Sequence, residues 1–362
     1  MVNYLSLLLF IIVSCFISIL ITPLVILLYR HFRLIDDPKK NKHPKVLHKY
    51  PVPRGGGIVI YFSIVFSSLL FLPPDKHLIG ILLGLTVLLI AGVLDDLYSP
   101  PPILRLFLIF LAAVFVVGAG IGIPYITNPL GGLLYLNQPQ IPIFLFGKMR
   151  TIWILADFFA LLWIVSLSNF TNWASGMDGQ LGGIMVVAGI VIGIFSLRFS
   201  ADITQWPVIS LAFITAGAYL GFLFFNFYPQ KIMTGFGGGT MGGFMLAVLS
   251  ILATTKVGTI AFILAIPLID AAYSIIRRLL KGKSPFWGDA GHLHHKLIKL
   301  GMNKKTVAIL YWTLTSLLGF LALNLNAKAK LYTIVIIAII IGFFLLWVKF
   351  FFTYFKAPDQ DK

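Results

Sequence analysis

Eleven long apolar runs divide this chain, and no other feature of the sequence restricts its fold as strongly. On the ruler of about 20 apolar residues per bilayer-spanning helix, they lie near 4–28, 57–72, 77–94, 103–123, 151–168, 181–197, 206–227, 241–255, 257–276, 306–324 and 331–354. With 59% of 362 residues apolar and 11% charged, the composition excludes both a soluble fold and a disordered chain. The pattern predicts an all-α polytopic membrane protein, a single integral-membrane domain over 1–362 with about eleven transmembrane helices. Ten is the alternative count, because the second run is short and only Thr254, Thr255 and Lys256 separate the eighth from the ninth. The start, MVNYLS, lacks the positive region of a cleaved signal peptide, so the first run is expected to be a retained span.

Alternating the loops between two sides splits the 28 Lys and Arg unevenly. One set of loops carries only Lys76, Lys148, Arg150, Arg198, Lys256, Lys328 and Lys330; the other carries the remaining twenty-one, eight of them in 29–56 and eight in 277–305. By the positive-inside rule the richer set is cytoplasmic, which places the N-terminus outside and the C-terminus inside a cell membrane. The net charge of +16 then reflects loops facing anionic lipid, with no nucleic acid partner implied. Residues 124–150, on the outer side, read as an interfacial hairpin or short helix. The single cysteine, Cys15, lies inside the first run and allows neither an internal disulfide nor a cysteine metal cage.

The clusters of chemical interest all fall in the cytoplasmic set, although they played no part in assigning it. All twelve acidic residues are Asp. Two of them, Asp95 and Asp96, end the third span in GVLDDLYSPPP; adjacent carboxylates at a membrane boundary repel each other and suit a proton acceptor or Mg²⁺. In NFTNWASGMDGQLGG, Asn169 and Asn172 share a helix face and glycines flank Asp178, which allows close approach of a ligand. The segment KIMTGFGGGTMGG fits either a backbone phosphate cradle or close helix packing through small residues. In RRLLKGKSPFWGDAGHLHHKL, His292, His294 and His295 lie beside Asp289, Arg277 and Arg278. Without Cys or a helical HExxH this set suits the diphosphate and hydroxyls of an anionic sugar ligand better than zinc. The first loop adds Lys45, His48 and Arg54.

Taken in order, HKYPVPRGGG, the LDD pair, NFTNWASGMDG, NFYPQKI and SPFWGDAGHLHHKLIKLG resemble the polyprenyl-phosphate N-acetylhexosamine-1-phosphate transferase family, glycosyltransferase family 4, which includes the phospho-N-acetylmuramoyl-pentapeptide transferases. The resemblance is strongest over 30–310. It implies a membrane enzyme, a phosphoglycosyl transferase with a cytoplasmic site. Such an enzyme moves a sugar-1-phosphate from a UDP-sugar to a polyprenyl phosphate for cell-envelope glycan assembly and releases UMP, with Mg²⁺ or Mn²⁺ as cofactor. The HLHH form is more similar to the N-acetylglucosamine branch. Two positions depart from the family pattern: Ser175 and Phe236 stand where it has Asp. They favour the alternative of a non-catalytic or altered-specificity paralogue that binds sugar nucleotide or lipid phosphate.

Phosphoryl transfer rests on positioning and charge neutralisation, and the expected roles follow. Asp95 and Asp96 are the catalytic pair, with Asp95 as base or positioning partner. Asp96 and Asp178 are the metal ligands. Asn169, Asn172, His292, His294, His295, His48, Lys45, Asp289 and Arg278 hold substrate. The bilayer supplies the acceptor, and a homodimer is compatible with the sequence. A transporter would place its acids near mid-membrane; only Asp157 and Asp270 lie inside runs, and Asp270, seven residues before Arg277, is expected to support the basic loop.

Overall fold

The computed structural model describes residues 4–40, 48–128, 131–145, 148–253, 257–284 and 291–354. Its helices, in chain order, are α1 (Tyr4–His31), α2 (Gly56–Phe71), α3 (Lys76–Tyr98), α4 (Pro102–Gly118), α5 (Ile154–Ala174), α6 (Gln180–Leu197), α7 (Gln205–Asn226), α8 (Gly235–Leu252), α9 (Val257–Ile263), α10 (Ala265–Leu279), α11 (Leu293–Lys299), α12 (Lys304–Asn324) and α13 (Ala327–Tyr354). Three two-stranded antiparallel pairs complete it: β1 (Ile35–Asp36) with β2 (Val52–Pro53), β3 (Tyr125–Thr127) with β4 (Leu133–Tyr135), and β5 (Gln140–Leu145) with β6 (Lys148–Trp153). The protein is an all-α polytopic membrane protein.

Each apolar run falls on a helix, but not every run is a simple span. Among the described residues eight helices are long and apolar enough to cross a bilayer: α1, α3, α5, α6, α7, α8, α12 and α13. α2 and α4 are shorter, and the ninth run is two helices, α9 and α10, bent by 84°. The break has a local cause. Pro267 in the first turn of α10 has no N–H to bond back to Ile263, so the ladder of α9 cannot continue through it. The eighth and ninth runs are not one helix either, since Ala253, which caps α8, is extended. The pairs β3–β4 and β5–β6 lie between Tyr125 and Trp153, so the described residues of this segment agree with a hairpin reading and not with a short helix.

The centre of the bundle is α8. Six of its first nine residues are glycine, and other backbones use the space: a Cβ on Gly92 of α3 would lie 2.7 Å from Gly237 Cα, and one on Gly57 of α2 2.9 Å from Gly238 N. The α5 side chain of Thr171 donates to Gly239 O at 2.9 Å, and Tyr219 of α7 donates to Gly238 O at 2.6 Å. Of the two readings open for the glycine-rich segment, close packing is the one the structure displays. Between apolar helices in lipid, such contact and interhelical hydrogen bonding are the main sources of association.

A bulky residue at Gly92 should therefore separate α3 from α8. Gly92→Leu is expected to lower the thermal unfolding midpoint in detergent, by overpacking worth roughly 1–3 kcal/mol. Gly118→Ala, where an added Cβ meets nothing within 4 Å, should be neutral or slightly stabilising. Equal midpoints for the two variants would contradict the packing assignment.

Candidate active site

The five loops expected to be cytoplasmic meet at one end of the bundle. Tyr29 at the end of α1 donates to Asp96 Oδ2 at the end of α3, 3.0 Å away. At the start of α8, Gly235 adopts φ +67°, which favours glycine, and a Cβ there would sit 2.5 Å from Arg54 O and 3.7 Å from Asp96 Oδ1. A Cβ on Gly239 would lie 2.7 Å from Asn172 Oδ1 and 3.1 Å from Ser175 Oγ, so the end of α5 closes on α8. One on Gly176 would face His294 Nε2 at 3.8 Å.

The three candidate carboxylates are each held by this chain. Asp95 is buried, and Arg105 Nε lies 2.6 Å from its Oδ1. The prolines explain the pairing. Ser99 turns left-handed (φ 47°), Pro100, Pro101 and Pro102 carry no N–H, and Pro102 starts α4, which returns Arg105 to face the end of α3. The Arg105 guanidinium also lies over the Phe236 ring, 5.8 Å from its centroid. Asp96 accepts from Tyr29 through Oδ2, while its Oδ1 is buried without a hydrogen-bond partner among the described residues.

Asp178, 1% exposed, receives Lys304 Nζ on Oδ1 at 3.3 Å and the Gln230 N–H on Oδ2 at 3.5 Å. Its turn is fixed by Gly179 at φ +72°, whose N–H donates to Asn226 Oδ1 at 3.2 Å and whose carbonyl accepts from Trp312 Nε1 at 3.1 Å. Tyr50 of the first loop is close enough to register that charge. Partial burial raises the pKa of its phenol, and the charges of Asp178 and Tyr228 raise it further.

The histidine cluster is built on Asp270. Its Oδ2 is 3.0 Å from His292 Nδ1, and its Oδ1 accepts the Leu293 N–H at 2.8 Å, so one buried carboxylate orients the first histidine and anchors the first turn of α11. This is the supporting role expected from its spacing to the basic loop. Arg278, also buried, lies 3.3 Å from His292 Nε2 and 5.3 Å over the Trp173 ring of α5. His292 and His294 stack with centroids 5.8 Å apart, and His295 follows at 4.4 Å. Burial, then the neighbouring His295 and His292, hold the His294 imidazole well below its usual range.

Other expected residues take less central places. His48 is buried, with Nδ1 2.8 Å from Tyr50 O and Nε2 3.7 Å from Asp36, which also pairs with Arg54 at 2.8 Å. Asn169 donates to Val165 O of its own helix at 2.9 Å. Asp157 accepts the Trp153 N–H at 3.1 Å, at the join of β6 and α5. Lys45 and Asp289 lie outside the described residues. Arg105, Lys304, Tyr29 and Trp173 were not legible as site residues; the only trace of the first two was a basic residue in the opening turns of a helix.

As arranged, this donor set does not suit a protein-held divalent ion. Mg²⁺ takes oxygen ligands at about 2.0–2.1 Å in octahedral array. Asp178 shares its oxygens with Lys304 and Gln230, Asp95 is paired with Arg105, Asp96 gives Oδ2 to Tyr29 and leaves a single oxygen, Oδ1, and position 236 contributes a phenyl ring. Among the described residues no three His, Cys, Asp or Glu side chains gather as a metal would need.

The apolar helices and the buried acid–base pairs define the class: an integral-membrane protein with a cluster of paired charges at one end of its helices. Residues 78–254 match the model of Glycosyl transferase family 4. The chain is 26% identical over 340 residues to the probable undecaprenyl-phosphate N-acetylglucosaminyl 1-phosphate transferase of Bacillus subtilis, covering 92% of this chain and 88% of that protein. It is 26% identical over 304 residues to the decaprenyl-phosphate N-acetylglucosaminephosphotransferase of Mycobacterium leprae, covering 76% and 73%. To the undecaprenyl-phosphate alpha-N-acetylglucosaminyl 1-phosphate transferase of Escherichia coli it is 28% identical over 299 residues, covering 79% and 75%. The family model and these relatives support the family its motifs resemble, that of the polyprenyl-phosphate hexosamine-1-phosphate transferases.

A pH test follows from His294. Its imidazole is neutral when folded and free to protonate when unfolded, so its contribution to stability is complete above the unfolded pKa of about 6.5 and is lost as pH falls below it, by about 1.4 kcal/mol per unit at most. Thermal midpoints should drop between about pH 7.5 and 5.5, and His294→Gln should flatten that slope. An unchanged slope in the variant would show that His294 is not the buried neutral group described.

Proposed function

We propose that the chain transfers a sugar-1-phosphate, of the N-acetylhexosamine type, from a UDP-sugar to a polyprenyl phosphate. An oxygen of the acceptor phosphate attacks the sugar-bearing phosphorus, the bond to the second phosphate breaks, and UMP leaves with that bridging oxygen. The observation that carries the reading is the convergence of Asp95, Asp96 and Asp178 with Arg105, Lys304 and Arg278 at one end of the bundle. Relatives named for transfer onto undecaprenyl or decaprenyl phosphate support it.

Two anions must be brought together in line, so positioning and charge neutralisation carry most of the work. Arg105, oriented by Asp95, and Lys304, oriented by Asp178, would face the phosphates. Asp96 would meet the acceptor through Oδ1. An acceptor phosphate with a second pKa of about 6 is largely ionised at neutral pH, so this contact positions more than it deprotonates. Arg278 and the three histidines would hold the donor diphosphate, with Asn169 and Asn172 toward the nucleotide. The site end of the bundle would face the cytoplasm.

A second reading, a paralogue that binds the same ligands without turnover, is favoured by Ser175 and Phe236. UMP release from UDP-N-acetylglucosamine with polyprenyl phosphate separates the two. The wild type should release UMP, and Asp96→Asn, which can still accept from Tyr29, should lose at least about a hundredfold in rate while remaining folded. UDP-sugar binding without any UMP release would establish the paralogue, and near-normal release by Asp96→Asn would remove it from the mechanism.

Orientation is tested separately. In a Cys15→Ala background, Lys281→Cys should be shielded from an impermeant thiol reagent in intact cells, and Leu134→Cys, on β4 at the other end, should react. The reverse pattern would invert the topology.

A further inference from the structure

We propose that in this protein Arg105 and Lys304 take the place of a resident divalent cation, so that the site binds a nucleoside diphosphate-sugar without metal. The inference deepens the proposed function and rests on it for the identity of the ligand.

Three observations converge. The first is occupancy: the carboxylates of Asp95 and Asp178 each already hold a cation of this chain, at 2.6 and 3.3 Å. An ion at about 2 Å from Asp178 Oδ1 would be crowded to within about 5 Å of the Lys304 ammonium. The second is the neighbour. Phe236 does more than remove a carboxylate, because its ring lies under the Arg105 guanidinium at 5.8 Å, an attractive placement for a cation over an aromatic face. An aspartate there would compete with Asp95 for the same guanidinium.

The third is charge balance. Ser175 and Phe236 in place of two aspartates remove two negative charges, the amount that one divalent ion would have balanced. The site therefore reaches the same net charge with neither. Donors remain for a ligand. Arg105 pairs with Asp95 by charge, its Nε 2.6 Å from Oδ1 without hydrogen-bond geometry, and its two terminal nitrogens make no hydrogen bond among the described residues; Lys304 directs one of three ammonium protons to Asp178. A planar guanidinium and a point ammonium are the two groups best suited to phosphate oxygens.

The test uses the full-length protein in nanodiscs and two readouts that do not require turnover. Mn²⁺ titration followed by electron paramagnetic resonance should show no saturable binding below millimolar concentration. UDP-N-acetylglucosamine affinity, measured by calorimetry, should agree within about twofold between excess Mg²⁺ and EDTA, and should fall roughly tenfold or more when either cation is lost, as for a charge-assisted hydrogen bond. Because Lys304→Met alone would strand a buried carboxylate, the variants are the neutral pairs Lys304→Met/Asp178→Asn and Arg105→Met/Asp95→Asn. Stoichiometric Mn²⁺ binding below millimolar, or an affinity that collapses in EDTA, would overturn the inference, as would full affinity in both neutral pairs. If UDP-N-acetylglucosamine bound under neither condition, the donor assigned under the proposed function would fall, and the Mn²⁺ titration alone would still decide the metal question.

Discussion

Everything at the site depends on how closely other backbones approach the first half of α8. Gly237, Gly238 and Gly239 let α3, α2 and α5 reach main-chain distance, and Tyr219 and Thr171 donate to two of the carbonyls this exposes. Lipid gives no hydrophobic reward for bringing helices together, so a glycine face and interhelical hydrogen bonds supply the attraction. The result is geometric. The ends of α3 and α5 and the start of α8 are pinned to one another, which brings Asp96, Asn172 and Ser175 against the first turns of α8.

Electrostatics then completes what packing begins. A carboxylate this deeply buried is costly unless paired, and the chain brings a partner to each from a distant stretch: Arg105 across the proline turn, Tyr29 from α1, Lys304 from α12, and His292 to Asp270. These pairs orient the cations as much as they neutralise the acids. The bend between α9 and α10 turns α10 by 84°, and the start of α11 docks on it through Leu293 and His292 on Asp270, with Arg278 beside His292.

The parts of this arrangement that depend on local pattern were readable from the chain. Apolar length marked the helices, and the clustering of Asp, Asn and His in one set of loops marked the site end, because alternation of spans is enough to sort loops into two groups. Asp270 was readable through its helical spacing to Arg277. Arg105 and Lys304 were not, since their significance lies in partners 10 and 126 residues away in sequence. The glycine segment was ambiguous for a physical reason: the same lack of side chains serves a phosphate or a neighbouring helix. The break in the ninth run had a local signal, Pro267 in the middle of 257–276, which a count of apolar length does not register.

The central claim is that Asp95 and Asp178, two buried acids of this site, are each paired with a cation of the protein itself, and the Asp178–Lys304 pair tests it most directly. A double-mutant cycle on unfolding free energy, with Asp178→Asn, Lys304→Met and both together, measures their coupling free of other contacts. With Asp178 1% exposed, Lys304→Met alone should cost about 3–5 kcal/mol, and the coupling should be at least about 1 kcal/mol. Additive losses, with coupling near zero, would mean that the two groups do not hold each other and would contradict the account.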